Sequence, residues 1–240
     1  MMLYDYFTTG SRQDEHFTMN GVYSGIVTDN KDPDSNGRVK VKIPVIDDQK
    51  EFDWMRIVAF MGGKDRGALF IPEVGDEVLI AFMMGDITAP IVIGSLWNKE
   101  EPPPAGNNDK NDIRKIKTRS GHEITFDDND QAGKITVKTK KGHQLEFADK
   151  EQRIELRTAN SNHKVMLDEQ KGQVTIQSSQ ATLTMNQKGE IEIKAPKSIK
   201  LSGGQIQIEA SSTLEMKANA NVNISASGML QLKGSIIKLN

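Results

Sequence analysis

The sequence predicts an all-β protein, a small antiparallel barrel followed by an intertwined, trimeric triangular β-helix that forms a needle. Three observations carry this expectation. Residues 22–97 hold five or six short apolar segments, one of them (38–43) strictly alternating, broken by turn residues and without a helical period. Residues 124–240 repeat one apolar–polar–apolar triplet 14 times. Between the two regions lies EEPPPAGNNDKND (100–112), whose prolines make a stiff stem and whose remaining residues supply no core. The implied organisation is a tail at 1–18, a barrel domain at 19–99, a linker at 100–114 and a needle at 115–240.

The tail is polar and mixed, and is expected to order only on a partner. In the barrel region VYSGIVT (22–28) reads as the first strand. RVKVKI (38–43) alternates, with Val39, Val41 and Ile43 on one face and Arg38, Lys40 and Lys42 on the other. WMRIVAF (54–60), ALFI (68–71), EVLIAFMM (77–84) and PIVIGSLW (90–97) read as further strands. Strands this short are stable when closed into a barrel, because closure removes exposed edges.

The needle triplets begin at Ile124, Ile135, Leu145, Ile154, Val165, Val174 and Leu183. They continue at Ile191, Ile199, Ile206, Leu214, Val222, Leu230 and Ile237. The spacing shortens from 9–11 residues to about eight. The middle residue is polar in 13 triplets, and Met166 is the exception. Such a strand buries two side chains on one face and cannot enclose a core alone. An eight-residue interval leaves a short strand and a corner. That geometry suits a prism in which three identical chains wind together, each giving one wall per rung. Each chain would then pair only with its neighbours and have no independent fold there. The regular part of the interior is expected from Ile191, Ile193, Ile199, Leu201, Ile206, Ile208, Leu214, Met216, Val222, Ile224, Leu230, Leu232, Ile237 and Leu239. Fourteen rungs stack to a rod on the order of 65–70 Å.

Composition narrows the function. The net charge of −2 steers the chain to neither nucleic acid nor membrane. Without cysteine there is no disulfide and no thiolate metal site. The N-terminus has no signal-peptide pattern, and the longest apolar runs are too short to span a bilayer. There is no G-x-S-x-G, no H-E-x-x-H and no other catalytic set, so an enzyme is not expected. Asp32, Asp34, Asn36 and Gly37 match the opening of a calcium loop. The twelfth position is Ile43 rather than Glu, however, and a hairpin turn is the favoured reading. His122, His143 and His163 each stand two residues before a triplet, on the face of its apolar pair. In a trimer each position offers a ring of three imidazoles, a possible metal site. The favoured alternative is that corner geometry turns the rings outward or onto neighbouring backbone. No cofactor is expected.

GRVKVKIP (37–44), DWMRIVA (53–59) and FIPEVGDEVLIAFMMGDITAPIVIGSLWN (70–98) resemble the OB-fold domain of baseplate spike proteins. These occur in contractile phage tails, type VI secretion (the valine–glycine repeat, VgrG-type, spikes) and related injection particles. TRSGHEITFDD (118–128) resembles the start of their β-helix. The resemblance implies a homotrimeric spike, assembled in the producer cytoplasm into a phage tail or injection particle. It implies a separate hub protein at the barrel end, a PAAR-type tip protein at the needle end, and passage through the target-cell envelope when a sheath contracts. The rival class is a nucleic-acid-binding OB-fold. It needs a basic groove with stacking aromatics, and here only Lys40, Lys42 and Trp54 offer themselves.

Overall fold

A computed structural model of the chain describes residues 18–106 and 109–238. The expected tail, apart from Thr18, and the expected core residue Leu239 lie outside the described residues.

Seven strands make the first unit: β1 (Val22–Asp29), β2 (Val39–Ile43), β3 (Asp47–Ile57), β4 (Gly62–Gly63), β5 (Arg66–Gly67), β6 (Glu77–Phe82) and β7 (Pro90–Ser95). Five of them close a barrel in the order β1-β2-β3-β7-β6. The seam between β3 and β7 is parallel, with Arg56 opposite Ile91, and every other pairing in the barrel is antiparallel. The alternation read from the sequence explains the core. Val39, Val41 and Ile43 of β2 are fully buried and meet Val27, Met55, Val78, Ile80 and Val92. Phe52 and Phe82 pack edge to face, with ring centroids 6.1 Å apart. Gly25 lies where β1 crosses this core. A Cβ there would stand 2.6 Å from Val41 Cγ1 and 2.7 Å from the Lys42 carbonyl oxygen, so the site excludes a side chain.

Two details differ from expectation. Residues 68–71 form no strand, and Leu69 and Phe70 are exposed. The barrel is already closed by the β3–β7 seam, so no edge remains for them to pair with. Strand β3 ends at Ile57, and the chain then leaves as the small hairpin β4–β5.

The second unit is one sheet of nine strands: β8 (Ile113–Lys117), β9 (Glu123–Asp127), β10 (Lys134–Lys138), β11 (Gln144–Ala148), β12 (Arg153–Arg157), β13 (His163–Asp168), β14 (Gln173–Ser178), β15 (Ala181–Asn186) and β16 (Ile191–Lys194). Their spatial order is their sequence order, and every pair is antiparallel. This corrects the expected pairing. The first eight triplets do not wait for other chains for their hydrogen bonds. They form a meander within one chain, because their connections can fold as hairpin turns. A recurring turn shows how. The side-chain oxygens of Thr118, Thr139 and Asn186 each accept the backbone N–H four residues on, at 3.1 Å. Gly121, Gly142 and Gly189 supply the positive φ at each of these turns.

Beyond Lys194 the pattern changes. No strand occurs from residue 195 to 238, and no backbone hydrogen bond joins these residues to the rest of the described chain. Bends fall at 196–197, 204, 211–212, 219–220, 227–228 and 235, one between each pair of successive triplets.

Candidate functional site

The pairing registers line up the triplets into two apolar columns on one face of the sheet. One column runs through Ile116, Ile124, Val137, Leu145, Leu156 and Val165, then through Ile176, Leu183 and Ile193. Opposite Phe126 and Ile135, the other continues with Phe147, Ile154, Leu167 and Val174, ending at Met185 and Ile191. Nothing in the described chain covers them. Phe126 and Ile135 are each 41% exposed, Leu156 is 55% and Ile191 is 68%. An apolar surface of this extent is an interaction surface.

The other face carries the polar residues, yet it is the better covered. Glu155 lies between Arg153 and Arg157, with Arg157 Nε 3.2 Å from its carboxylate. Arg153 donates to Glu146 at 3.0 Å, and Arg157 donates to Gln144 at 2.8 Å. Lys115 and Lys117 both reach Glu123, and the Lys115 hydrogen bond holds that carboxyl below its ordinary range. Long side chains lying on one another shield this face without an apolar partner. The distribution of burial is thus inverted, with apolar side chains in water and charged ones half-buried.

The expected interior residues follow the same rule. Ile191 and Ile193 end the apolar columns. Ile199, Leu201, Ile206, Ile208, Leu214, Met216, Val222, Ile224, Leu230, Leu232 and Ile237 are all more than half exposed. Sequence reading did not single out Phe60, Met61, Leu69, Phe70 and Trp97. These are exposed around a recess between the barrel and β8 that also reaches Ile116. The barrel's own exposed apolar residues therefore adjoin the first residue of an apolar column.

The three histidines sit at one edge of the sheet, at the turns after β8, β10 and β12. His122 Nδ1 accepts the Lys140 backbone N–H at 3.4 Å, and His163 Nδ1 lies 2.9 Å from Ser178 Oγ. Alternate turns separate them along the edge, so one chain does not gather them. Among the described residues no group of three His, Cys, Asp or Glu side chains is placed to hold a metal ion. In the Asp32 loop a guanidinium stands where a cation would. Arg38 donates to both Asp32 oxygens, at 2.7 and 2.9 Å, and to Asp34 at 2.6 Å. The backbone N–H groups of Asp34, Asn36 and Arg38 complete the shell of Asp32. The Arg38 side-chain hydrogen bond holds the Asp32 carboxyl far below the usual carboxylate range. This is a capped turn rather than a calcium loop.

The barrel surface is poorly arranged for stacking bases. Lys40 Nζ lies 5.3 Å from the Trp54 ring centroid and pairs with Glu51 at 3.2 Å. The aromatic face and its nearest cation are thus engaged with each other.

Comparison with known proteins agrees with the barrel. Residues 23–97 match the family described as the type VI secretion system/phage-baseplate injector OB domain. The chain is 40% identical over 76 residues to the type VI secretion system spike protein VgrG5 of Pseudomonas aeruginosa, covering 30% of this chain and 10% of that protein. It is 31% identical over 109 residues to the spike protein VgrG3 of Vibrio cholerae, covering 42% of this chain and 10% of that protein. For VgrG2a of Pseudomonas aeruginosa the identity is 32% over 104 residues, covering 40% of this chain and 12% of that protein. The chain thus spans about a tenth of the length of the curated relatives it matches. Residues 23–97 thus carry the match to the injector OB domain of type VI secretion systems and phage baseplates, and over less than half of its length the chain is similar to VgrG-type spike proteins.

Proposed function

We propose that the chain works as a homotrimeric spike at the tip of a contractile tail or injection apparatus. In this reading three apolar sheet faces turn inward and bury one another. The segments after Lys194 wind together as a triangular β-helix, each chain supplying the backbone partners that the others lack. The barrel joins the needle to a hub protein, a PAAR-type tip protein covers the far end, and the assembly pierces the target-cell envelope when a sheath contracts. Its work is mechanical rather than catalytic. Hydrogen bonds between chains along the segments after Lys194 resist axial load, because failure there requires several strands to unwind together.

One observation carries the reading: the apolar columns and residues 195–238 are without a covering partner in a single chain. Unpaired backbone N–H and C=O groups and bare apolar faces are costly, and like chains satisfy both at once. The test is Ile206→Asp in the full chain. Wild type should run as a detergent-resistant trimer on gels without boiling, and the variant should lose that resistance. A variant as resistant as wild type would contradict an inward Ile206.

A further inference from the structure

The meander places successive turns at alternate edges of the sheet, and the two edges carry opposite charge. The histidine edge comprises residues 117–123, 138–144, 157–164 and 178–181, with seven basic side chains and one acidic. The other edge comprises residues 127–134, 148–153, 168–173 and 186–191, with eight acidic side chains and five basic. Lys138, Lys140 and Lys141 on the first, and Asp130, Asp149 and Glu151 on the second, are exposed. None of these six is in an ion pair within the described chain.

We propose that these edges orient one copy of the chain against the next. The basic edge of one copy seats on the acidic edge of its neighbour, so that the ring closes only when all copies run the same way. The inference rests on the assembly of like chains proposed above, and charge complementarity names the occupant. An axis along the stacking direction of the strands carries the basic edge of each copy onto the acidic edge of the next. A two-fold axis along the strands would instead set basic against basic. The heights also agree. The turn bearing Lys140 and Lys141 joins β10 to β11. It lies level with the gap between the acidic turns that join β9 to β10 and β11 to β12. Exposed pairs of this kind add little stability. Their effect is on the encounter, favouring the correct approach and opposing the inverted one.

The experiment uses the full chain in four forms: wild type, Lys140→Glu with Lys141→Glu, Asp149→Lys with Glu151→Lys, and all four changes together. Mass by light scattering at a fixed early time after refolding gives the share that has reached the trimer, at low salt and at about 1 M salt, where the screening length is about 3 Å. Each double reversal is expected to lower the trimer share about threefold or more at low salt, with recovery at high salt. The fourfold variant, its edges exchanged in sign, should assemble like wild type. A fourfold variant no better than either double, or doubles that assemble like wild type, would overturn the pairing of edges while leaving the trimer standing. A wild type that runs as a single chain would remove both.

Discussion

Gly25 and Asp32 show how single positions fix the barrel. At Gly25 the neighbouring backbone and Val41 leave no room for a methyl group. Gly25→Ala should therefore destabilise the barrel by about 1–3 kcal/mol, read as a lower midpoint in denaturant. Asp32 acts through charge. Its carboxyl is held far below the usual range, first by the Arg38 hydrogen bond and also by backbone N–H groups. The stabilisation is therefore complete above the unfolded carboxyl pKa, about 4. It is lost as pH falls from there through the folded value. Comparing Asp32→Asn with wild type by thermal melting should give the largest difference at neutral pH and a shrinking one below about pH 4. A difference that does not vary with pH would assign Asp32 a purely geometric role. The Asp32 turn was legible in the sequence as a hairpin. The Arg38 fork was not, because a D-x-D-x-N-G spacing does not show which cation answers the carboxylates.

At the level of elements, the triplets revealed which side chains share a face, since alternation alone determines that. They did not reveal which strand pairs with which. The interval from Leu183 to Ile191 and that from Ile191 to Ile199 are both eight residues, yet the first is a hairpin and the second is not. The connections differ. The hairpin turn contains Gly189, with φ of 80°, whereas the next connection contains Pro196. Proline cannot donate to a ladder, and its fixed φ does not suit the tight turn. The switch from self-pairing to open segments was thus present in turn chemistry rather than in period. The sheet itself makes a prediction by face. Ile135→Asp places a charge in an apolar column and should abolish assembly, as measured by light scattering. Thr136→Asp, on the opposite face, should leave the mass unchanged. Truncation in the column, such as Phe147→Ala, should cost roughly 3–5 kcal/mol per chain if the site is buried in the assembly. In a single chain with that face in water the loss would be far smaller.

For the whole molecule, the barrel needs no partner and the sheet's hydrogen bonds need none, but the apolar columns and the last 44 described residues do. Stability is therefore graded along the chain, from a closed barrel, through a sheet bare on one face, to segments that lack even backbone partners. The OB barrel was readable because short apolar strands and the turns between them are local signals. The assembly was readable only as a deficit, a repeat too thin to enclose its own core. The most direct test is the mass of the purified full chain in solution by light scattering. Three times the chain mass of 26.6 kDa is predicted, whereas a stable, well-behaved species of 26.6 kDa would contradict the inward-facing columns and the intertwined needle together.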